Sequence, residues 1–275
     1  MARLSGLLFT FFLLNAAFCL AETPDRSSIQ VDWLRMELRV SGYSTVAGES
    51  GNMIDWQLQA ARKAEENLLR NFVDSMKHLQ VDAYRSAHDV LLDDLERNRQ
   101  IYSYCNATRA GTIRYGEYDV NITKVFPFFG ENGFVPILFK AGKDTGNFKS
   151  YDRYVFTTAF SGVVIDARGL ARQPAISPRI FDEDHNLVYS ADLVDSERFL
   201  QWGAVQYTTD PQFVEYVERV GANPFRIVAI EDDRLIATDI AIFTELAQVL
   251  LAHRDTRRRL EEGRVIVILD EDALR

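Results

Sequence analysis

The sequence predicts an α+β fold, in which mixed β-sheets pack with amphipathic helices, after a cleaved signal peptide. One observation is the two-residue alternation of apolar side chains from Val31 to Val40, which is typical of a half-buried strand. Another is the recurrence of apolar side chains at threes and fours from Leu58 to Met76, which is typical of an amphipathic helix. The third is the stretch RVIVILD near the carboxyl terminus, whose unbroken apolar centre indicates a strand covered on both faces.

Residues 1–21 have the organisation of a secretory signal peptide. Arg3 is the first charged residue, the apolar run Leu7–Leu14 follows, and small residues lead to Ala21. The apolar run is shorter than the ~20 residues that a membrane crossing needs. We therefore expect cleavage after Ala21 and a protein that is periplasmic or otherwise exported.

Lipidation of Cys19 is the alternative processing event. It would require a small residue immediately before the cysteine, and Phe18 occupies that position. Contact with a membrane is therefore expected only if Cys19 is lipidated.

The composition is that of a globular protein with an acidic surface. Hydrophobic residues make up 47% and charged residues 26% of the 275 residues, and the net charge is −9. This charge argues against nucleic acid or an anionic membrane as the main partner. Cys105 is the one cysteine that remains after cleavage, so it cannot form an internal disulfide. We expect a buried thiol, with an intermolecular crosslink as the alternative.

The first predicted module covers residues 22–140 and has the order strand, helix, helix, strand. Its predicted elements are a strand over Ile29–Val46, a helix from Met53, a second helix over Val81–Tyr104, and one or two strands within Thr112–Val125. The second helix has an apolar stripe that includes Tyr84, Leu91 and Leu95. The aromatic segment Phe126–Phe134 is expected to form a small core under a loop rather than an exposed patch.

The second predicted module is an α+β unit over residues 141–275. Its predicted elements are a strand over Tyr154–Ala167, a hairpin over Ile180–Tyr189, strands over Phe225–Ile230 and Arg234–Thr238, a helix over Asp239–Glu262, and the final strand RVIVILD.

Asp166, Arg168 and Gly169 are the best candidates for a site in this module. They follow a predicted strand, and the side chains of Asp166 and Arg168 are two residues apart and thus point to the same side. Gly169 supplies a tight turn, because it tolerates a positive φ. A structural role for the pair is favoured over a binding role.

The hairpin tip contains weak candidates for a metal site. Asp182, Asp184 and Asn186 are spaced like the first ligands of a calcium-binding EF-hand loop. The sixth position is Leu187 rather than glycine, and the twelfth is Leu193 rather than glutamate. We therefore expect a solvated turn, and neither a metal nor another cofactor.

The sequence has no recognisable catalytic motif. It contains no nucleophile elbow, no HExxH, no CxxC, no Walker loop and no GxGxxG. We therefore do not expect an enzyme, although carboxylate pairs that meet only in the folded chain leave no such signature.

Several segments together resemble one family of exported bacterial proteins. They are VDW…RVSG, QAARKAEENLLRNF, VVIDARGL, PAISPRIFDEDHNLVY, RVGANPFRIVAI and the final helix with RVIVILD. In this order they resemble the family of the LPP-twenty lipoproteins and the N-terminal region of flagellar assembly protein T. The resemblance implies a periplasmic envelope protein, tied to flagellar or surface-structure assembly, with no catalytic residues.

These observations lead to a non-catalytic exported protein that acts in assembly or partner binding. Its partners would be envelope or flagellar proteins or a second copy of the chain, and an exposed apolar patch would be the mark of this role. The alternative is a small-molecule or glycan-binding module, which would have one deep pocket. A hydrolase with a carboxylate pair is the third hypothesis.

Overall fold

A computed structural model describes residues 28–45, 52–139, 146–151, 158–212 and 217–274. The predicted signal peptide, Cys19 and the predicted boundary between residues 140 and 141 lie outside these residues. Within them, helices and both parallel and antiparallel sheets confirm the predicted α+β class.

The amino-terminal part contains a four-stranded antiparallel sheet. Its strands are β1 (Ile29–Asp32), β2 (Glu37–Thr45), β3 (Thr112–Tyr115) and β4 (Asp119–Pro127), in the spatial order β1-β2-β4-β3. The prediction of one strand over Ile29–Val46 is wrong, because β1 and β2 form a hairpin.

The β1–β2 turn escaped the sequence pattern because one turn residue is buried. Met36 has a positive φ of 52° and closes the turn. Trp33 lies within the turn yet is only 7% exposed. Because Trp33 is apolar and buried although it lies in the turn, the sequence has the apolar alternation of one continuous strand.

The long helix α1 (Met53–Ser75) begins at the predicted residue and covers β2 and β4. Asn52 begins the helix by accepting a hydrogen bond from the amide of Asp55 at 2.9 Å. The buried stripe includes Ala64 and Leu68, whose backbones approach Gly42 of β2 so closely that a Cβ there would lie 2.0 Å from the Ala64 carbonyl oxygen. Small residues on both elements thus set the distance between helix and sheet.

The second predicted helix, Val81–Tyr104, is two shorter helices preceded by a turn. These are α2 (Ala87–Leu92) and α3 (Leu95–Ala107). Ser86 begins α2 with a capping box, and Asp94 begins α3 by accepting hydrogen bonds from two helix amides. Cap-forming side chains thus interrupt an otherwise helical hydrophobic pattern.

The aromatic segment is buried, as predicted, but it belongs to the main hydrophobic core rather than to a small core under a loop. Phe126, Phe128 and Phe134 are fully buried, next to the short helix α4 (Val135–Leu138). The ring of Trp33 lies 5.4 Å from that of Phe128 and 5.9 Å from that of Tyr207 in the carboxyl-terminal half. The described residues of both halves therefore share one hydrophobic core.

The carboxyl-terminal part contains a four-stranded parallel sheet. Its strands are β5 (Val163–Asp166), β8 (Gln206–Thr208), β9 (Phe225–Val228) and β11 (Val265–Ile268), in the spatial order β8-β11-β5-β9. Every residue of β11 is buried, which confirms the prediction of a central strand. The predicted strand over Tyr154–Ala167 is a strand only over β5, and residues 152–157 lie outside the described part.

A smaller sheet contains β6 (Ile180–Asp182), β7 (Leu187–Tyr189) and β10 (Ile240–Ile242), in the spatial order β10-β6-β7. The antiparallel pair β6–β7 is the predicted hairpin. The helices α5 (Ser196–Trp202) and α6 (Val217–Val220) flank the strand β8 in sequence.

The predictions for residues 234–262 were partly wrong. Residues 234–238 form turns rather than a strand, and β10 occupies the start of the predicted helix. The rest of that helix is divided at His253 into α7 (Thr244–Ala252) and α8 (Arg254–Glu261). Arg257 stabilises the break, because its guanidinium donates to the last two carbonyls of α7.

Among the helices in the described ranges, none has the length and apolar character that a membrane crossing requires.

Candidate binding cleft

The predicted site residues at the end of β5 belong to a small hydrogen-bonded cluster. Arg168 donates from Nε and Nη2 to the two carboxylate oxygens of Asp166, at 2.9 and 2.6 Å. The amide of Gly169, which has a φ of 79°, donates to Asp270 Oδ2 at 2.8 Å. The hydrogen bond from Arg168 lowers the pKa of Asp166. These contacts join the end of β5 to the residues after β11, and none of the three residues lines the cleft described below.

The hairpin tip is organised by Asp182, which is only 1% exposed. Its Oδ1 accepts hydrogen bonds from the amides of Asp184 and Asn186, at 3.0 and 2.8 Å. The Asn186 side chain donates to the same carboxylate. The oxygens of Asp182 thus hold the turn itself, and the described residues contain no group of three or more His, Cys, Asp or Glu arranged to hold a metal.

Cys105 is buried on α3, as expected. Burial raises the pKa of its thiol to about 11. The neighbouring Lys124 donates to the Cys105 carbonyl oxygen at 2.9 Å rather than to the sulfur. The thiol therefore remains protonated and screened from solvent.

A cleft of about 850 Å³ lies between α2 and α3 on one side and β6, β7 and α5 on the other. Its walls are mainly apolar and rich in aromatic rings. The main apolar side chains are Tyr84, Leu138, Phe139, Phe181, Phe199 and Leu200. Hereafter "the cleft" means this cavity.

One wall of the cleft is the turn of residues 81–85, which belongs to the amino-terminal half. Its neighbours are residues 176–177 of the carboxyl-terminal half, whose amides donate to the carbonyl oxygens of Gln80 and Val81 at 3.0 and 2.8 Å. Tyr84 at the tip of the turn is 72% exposed, so its assignment to the buried stripe of a helix was wrong. Leu95 was assigned to the same stripe and is 70% exposed.

Two of the arginines that line the cleft are held by carboxylates. Arg85 donates from Nε and Nη2 to Asp82 Oδ2, at 3.0 and 2.7 Å. Arg179 donates from Nε and Nη2 to the two oxygens of Asp239, a buried carboxylate. The Arg179 guanidinium also lies over the rings of Tyr84 and Phe181, 4.9 and 5.1 Å from their centroids. Arg179 thus joins the aromatic side chains of the two walls.

Two further polar groups of the cleft are less fully bonded. Arg97 Nε lies 3.4 Å from Asp94 Oδ2, and its side chain is 20% exposed. Ser190 is 4% exposed, and its hydroxyl has no hydrogen-bond partner among the described residues. Of the two, Arg97 is the one that a polar ligand entering the cleft could reach, because the Ser190 hydroxyl is buried beneath the surface of the lining.

Sequence reasoning did not identify the cleft. Arg97 and Tyr84 lie in a stretch that was interpreted as one amphipathic helix, and Ser190 follows the predicted hairpin without any motif. Arg179 is the one residue whose sequence position hints at the cleft, because it is a charged residue immediately before an apolar strand. Distant segments form the cleft, so no local spacing could reveal it.

Comparison with known proteins gives one similarity. A family model described as the second domain of Treponema pallidum Tp0624 matches residues 162–271. No curated protein sequence matches the chain. The matched range runs from the start of β5 beyond the end of β11 and includes Arg179 and Ser190, whereas the cleft wall of residues 81–97 lies before it. The carboxyl-terminal part of the chain is therefore similar to that Treponema domain over less than half of the whole sequence.

Proposed function

We propose that the protein is a non-catalytic, exported binding module that holds a small, largely apolar ligand in the cleft. The cleft itself is the observation that carries this proposal. Its volume of about 850 Å³ lies within the roughly 300–1,000 Å³ that small-molecule sites span. Its lining of aromatic and aliphatic side chains with a few polar groups is also typical of such sites.

The bonding of the cleft's acidic residues supports a non-catalytic role. A glycosidase-type hydrolase needs two carboxyl groups that act on one bond. Asp82 Oδ1 accepts from the amides of Tyr84 and Arg85, and its Oδ2 accepts from the Arg85 side chain. Asp82 therefore holds the turn. One further acid, Asp192, lines the cleft, whereas such a hydrolase needs two carboxyl groups that act together.

Titration with phenylnaphthylamine, an uncharged probe that fluoresces in apolar surroundings, tests the binding function. We expect saturable binding that Ala191→Trp abolishes, because Ala191 lines the cleft and an indole would fill it. Ala252→Trp is the matched control, since Ala252 is equally half-buried but lies outside the cleft. Equal binding by both variants would refute the cleft as the site.

A second candidate function is partner binding in envelope assembly, as the resemblance to exported envelope proteins implies. An apolar shelf supports it, defined by Ile54, Leu58, Ile113 and Tyr115, which are between 44% and 74% exposed. Cross-strand pairing puts Ile113 and Tyr115 opposite the buried Ile122 and Val120, hence on the face that α1 covers elsewhere. An uncovered extension of a buried sheet face is a common feature of interaction surfaces.

Site-specific photo-crosslinking in the native host tests the second candidate. A photoreactive residue at position 54 should give one reproducible adduct with an envelope or flagellar protein or with a second copy of the chain. The same residue at Leu92, which is 65% exposed on α2, is the control. Equal labelling from both positions would refute a specific partner at the shelf.

A further inference from the structure

We propose that the cleft's ligand is an organic anion whose acidic group is bound by Arg97 and whose apolar body lies against the aromatic walls. This inference rests on the proposed binding function and specifies the ligand class. Its basis is the unused hydrogen-bonding capacity of one arginine in the lining.

The three arginines that line the cleft differ in how fully their donor groups are hydrogen-bonded. Arg85 is occupied by Asp82 through two hydrogen bonds, and Arg179 is occupied by Asp239 in the same way. Arg97 has a single long contact of 3.4 Å, through Nε, to Asp94. Among the described residues, no acceptor bonds to the terminal nitrogens of Arg97, although its side chain is four-fifths buried.

Asp94 forms an ion pair with Arg97 through Nε, and no acceptor in the described ranges bonds to the terminal nitrogens. Its Oδ1 accepts from the amides of Glu96 and Arg97, which makes it the cap of α3. The outer edge of the Arg97 guanidinium therefore still requires an acceptor, and a carboxylate, sulfonate or phosphate provides paired oxygens with a matching geometry.

The remaining walls define the rest of the ligand. Phe139 and Phe199 pack edge to face with centroids 4.8 Å apart, and Phe181 lies beneath Arg179. These surfaces favour an aromatic or aliphatic body and offer little to a sugar or a free inorganic ion. The ligand class is thus an apolar molecule with one acidic group.

Two probes with the same apolar body test this inference. Anilinonaphthalene sulfonate carries an acidic group, whereas phenylnaphthylamine is its uncharged counterpart. We expect the full mature chain to bind the sulfonate about tenfold more tightly, because a hydrogen bond to a charged group contributes at least this much. Arg97→Gln should remove the preference by weakening the binding of the sulfonate about tenfold. Arg99→Gln is the matched control, because Arg99 lies on the same helix with 73% side-chain exposure and outside the cleft.

Displacement of the bound sulfonate by naphthoate or decanoate, but not by inorganic phosphate, would support the need for an apolar body.

The outcomes separate the two proposals. Equal affinity for both probes, or a preference that survives Arg97→Gln, would overturn the anion inference while the binding function stands. Displacement by inorganic phosphate as strong as that by naphthoate would also overturn the anion inference. Failure of both probes to bind would overturn the binding function and the inference with it.

Discussion

Three arginines, Arg168, Arg179 and Arg219, have different roles, and the environment of each side chain decides its role. Arg168 pairs with Asp166 at the surface, where both side chains are partly exposed. Arg179 pairs with the buried Asp239 and stacks on two rings. Arg219 is only 4% exposed and donates to the carbonyls of Trp202 and Gly203 at the end of α5. Burial lowers the pKa of Arg219 to about 10, so the guanidinium remains charged at neutral pH.

Arg168→Ala should lower stability slightly and leave probe binding in the cleft unchanged. The side chains of Arg168 and Asp166 are 41% and 28% exposed, so solvent screens the pair and we expect only a small decrease in the melting temperature. Thermal melting and titration with phenylnaphthylamine measure the two effects. An unchanged melting temperature with lost binding would contradict the structural role.

The same pair makes stability depend on pH in a defined direction. The hydrogen bond from Arg168 lowers the pKa of Asp166 in the folded state. The pair therefore contributes stability above the unfolded-state pKa of about 4, and this contribution is lost as the pH falls through the lower folded-state pKa. The acid sensitivity of Arg168→Ala below about pH 4 should be correspondingly smaller than that of the wild type.

At the scale of elements, local patterns predicted α1, β11 and the β6–β7 hairpin, because each has a continuous periodicity and a clear boundary residue. Patterns failed where a cap or a turn interrupts an apolar periodicity. Ser86 and Asp94 divide the region of the second predicted helix, and Arg257 stabilises the break between α7 and α8. In both regions a capping residue, Asp94 or His253, begins a new helix although the apolar spacing continues across the break.

Two glycine substitutions separate the energetic cost of a steric clash from that of an unfavourable backbone conformation. Gly42→Ala should destabilise the protein by about 3 kcal/mol, because the new Cβ would lie 2.0 Å from the Ala64 carbonyl oxygen of α1. Gly169→Ala should cost about 1 kcal/mol, because its φ is 79° while no atom lies within 4 Å of the new Cβ. Chemical denaturation of both variants measures the difference. A larger effect at Gly169 than at Gly42 would contradict the close docking of α1 on β2.

At the scale of the whole molecule, one hydrophobic core links the two predicted modules. Trp33 lies on the amino-terminal sheet hairpin and contacts Phe128 nearby and Tyr207 in the parallel sheet. The cleft depends on the same arrangement, because one of its walls comes from each half. The shared core thus fixes the relative position of the groups that we propose to bind the ligand.

Trp33→Ala should lower the free energy of unfolding by about 3–5 kcal/mol, and the two halves should unfold in one transition. The chain has three tryptophans, so Trp33→Ala leaves Trp56 in the amino-terminal half and Trp202 in the carboxyl-terminal half. Replacing Trp202 by Phe makes Trp56 the fluorescence reporter, and replacing Trp56 by Phe makes Trp202 the reporter. Coincident denaturation curves from both reporters are expected because the core is shared. Leu92→Ala, at a site that is 65% exposed, serves as the control and should change stability little. Separate midpoints for the two reporters would argue for independent modules.

The sequence by itself determined the α+β class, the principal helix, the central strand and the buried state of Cys105 and the aromatic segment. These features depend on periodicity and composition, which act over neighbouring residues. Only the tertiary structure decided where the cleft lies and which polar groups in it retain bonding capacity. Arg97, Arg179 and Ser190 come from separate segments, and they line one cleft because elements distant in the chain pack together. Long-range packing brings such groups together, and no local spacing records it.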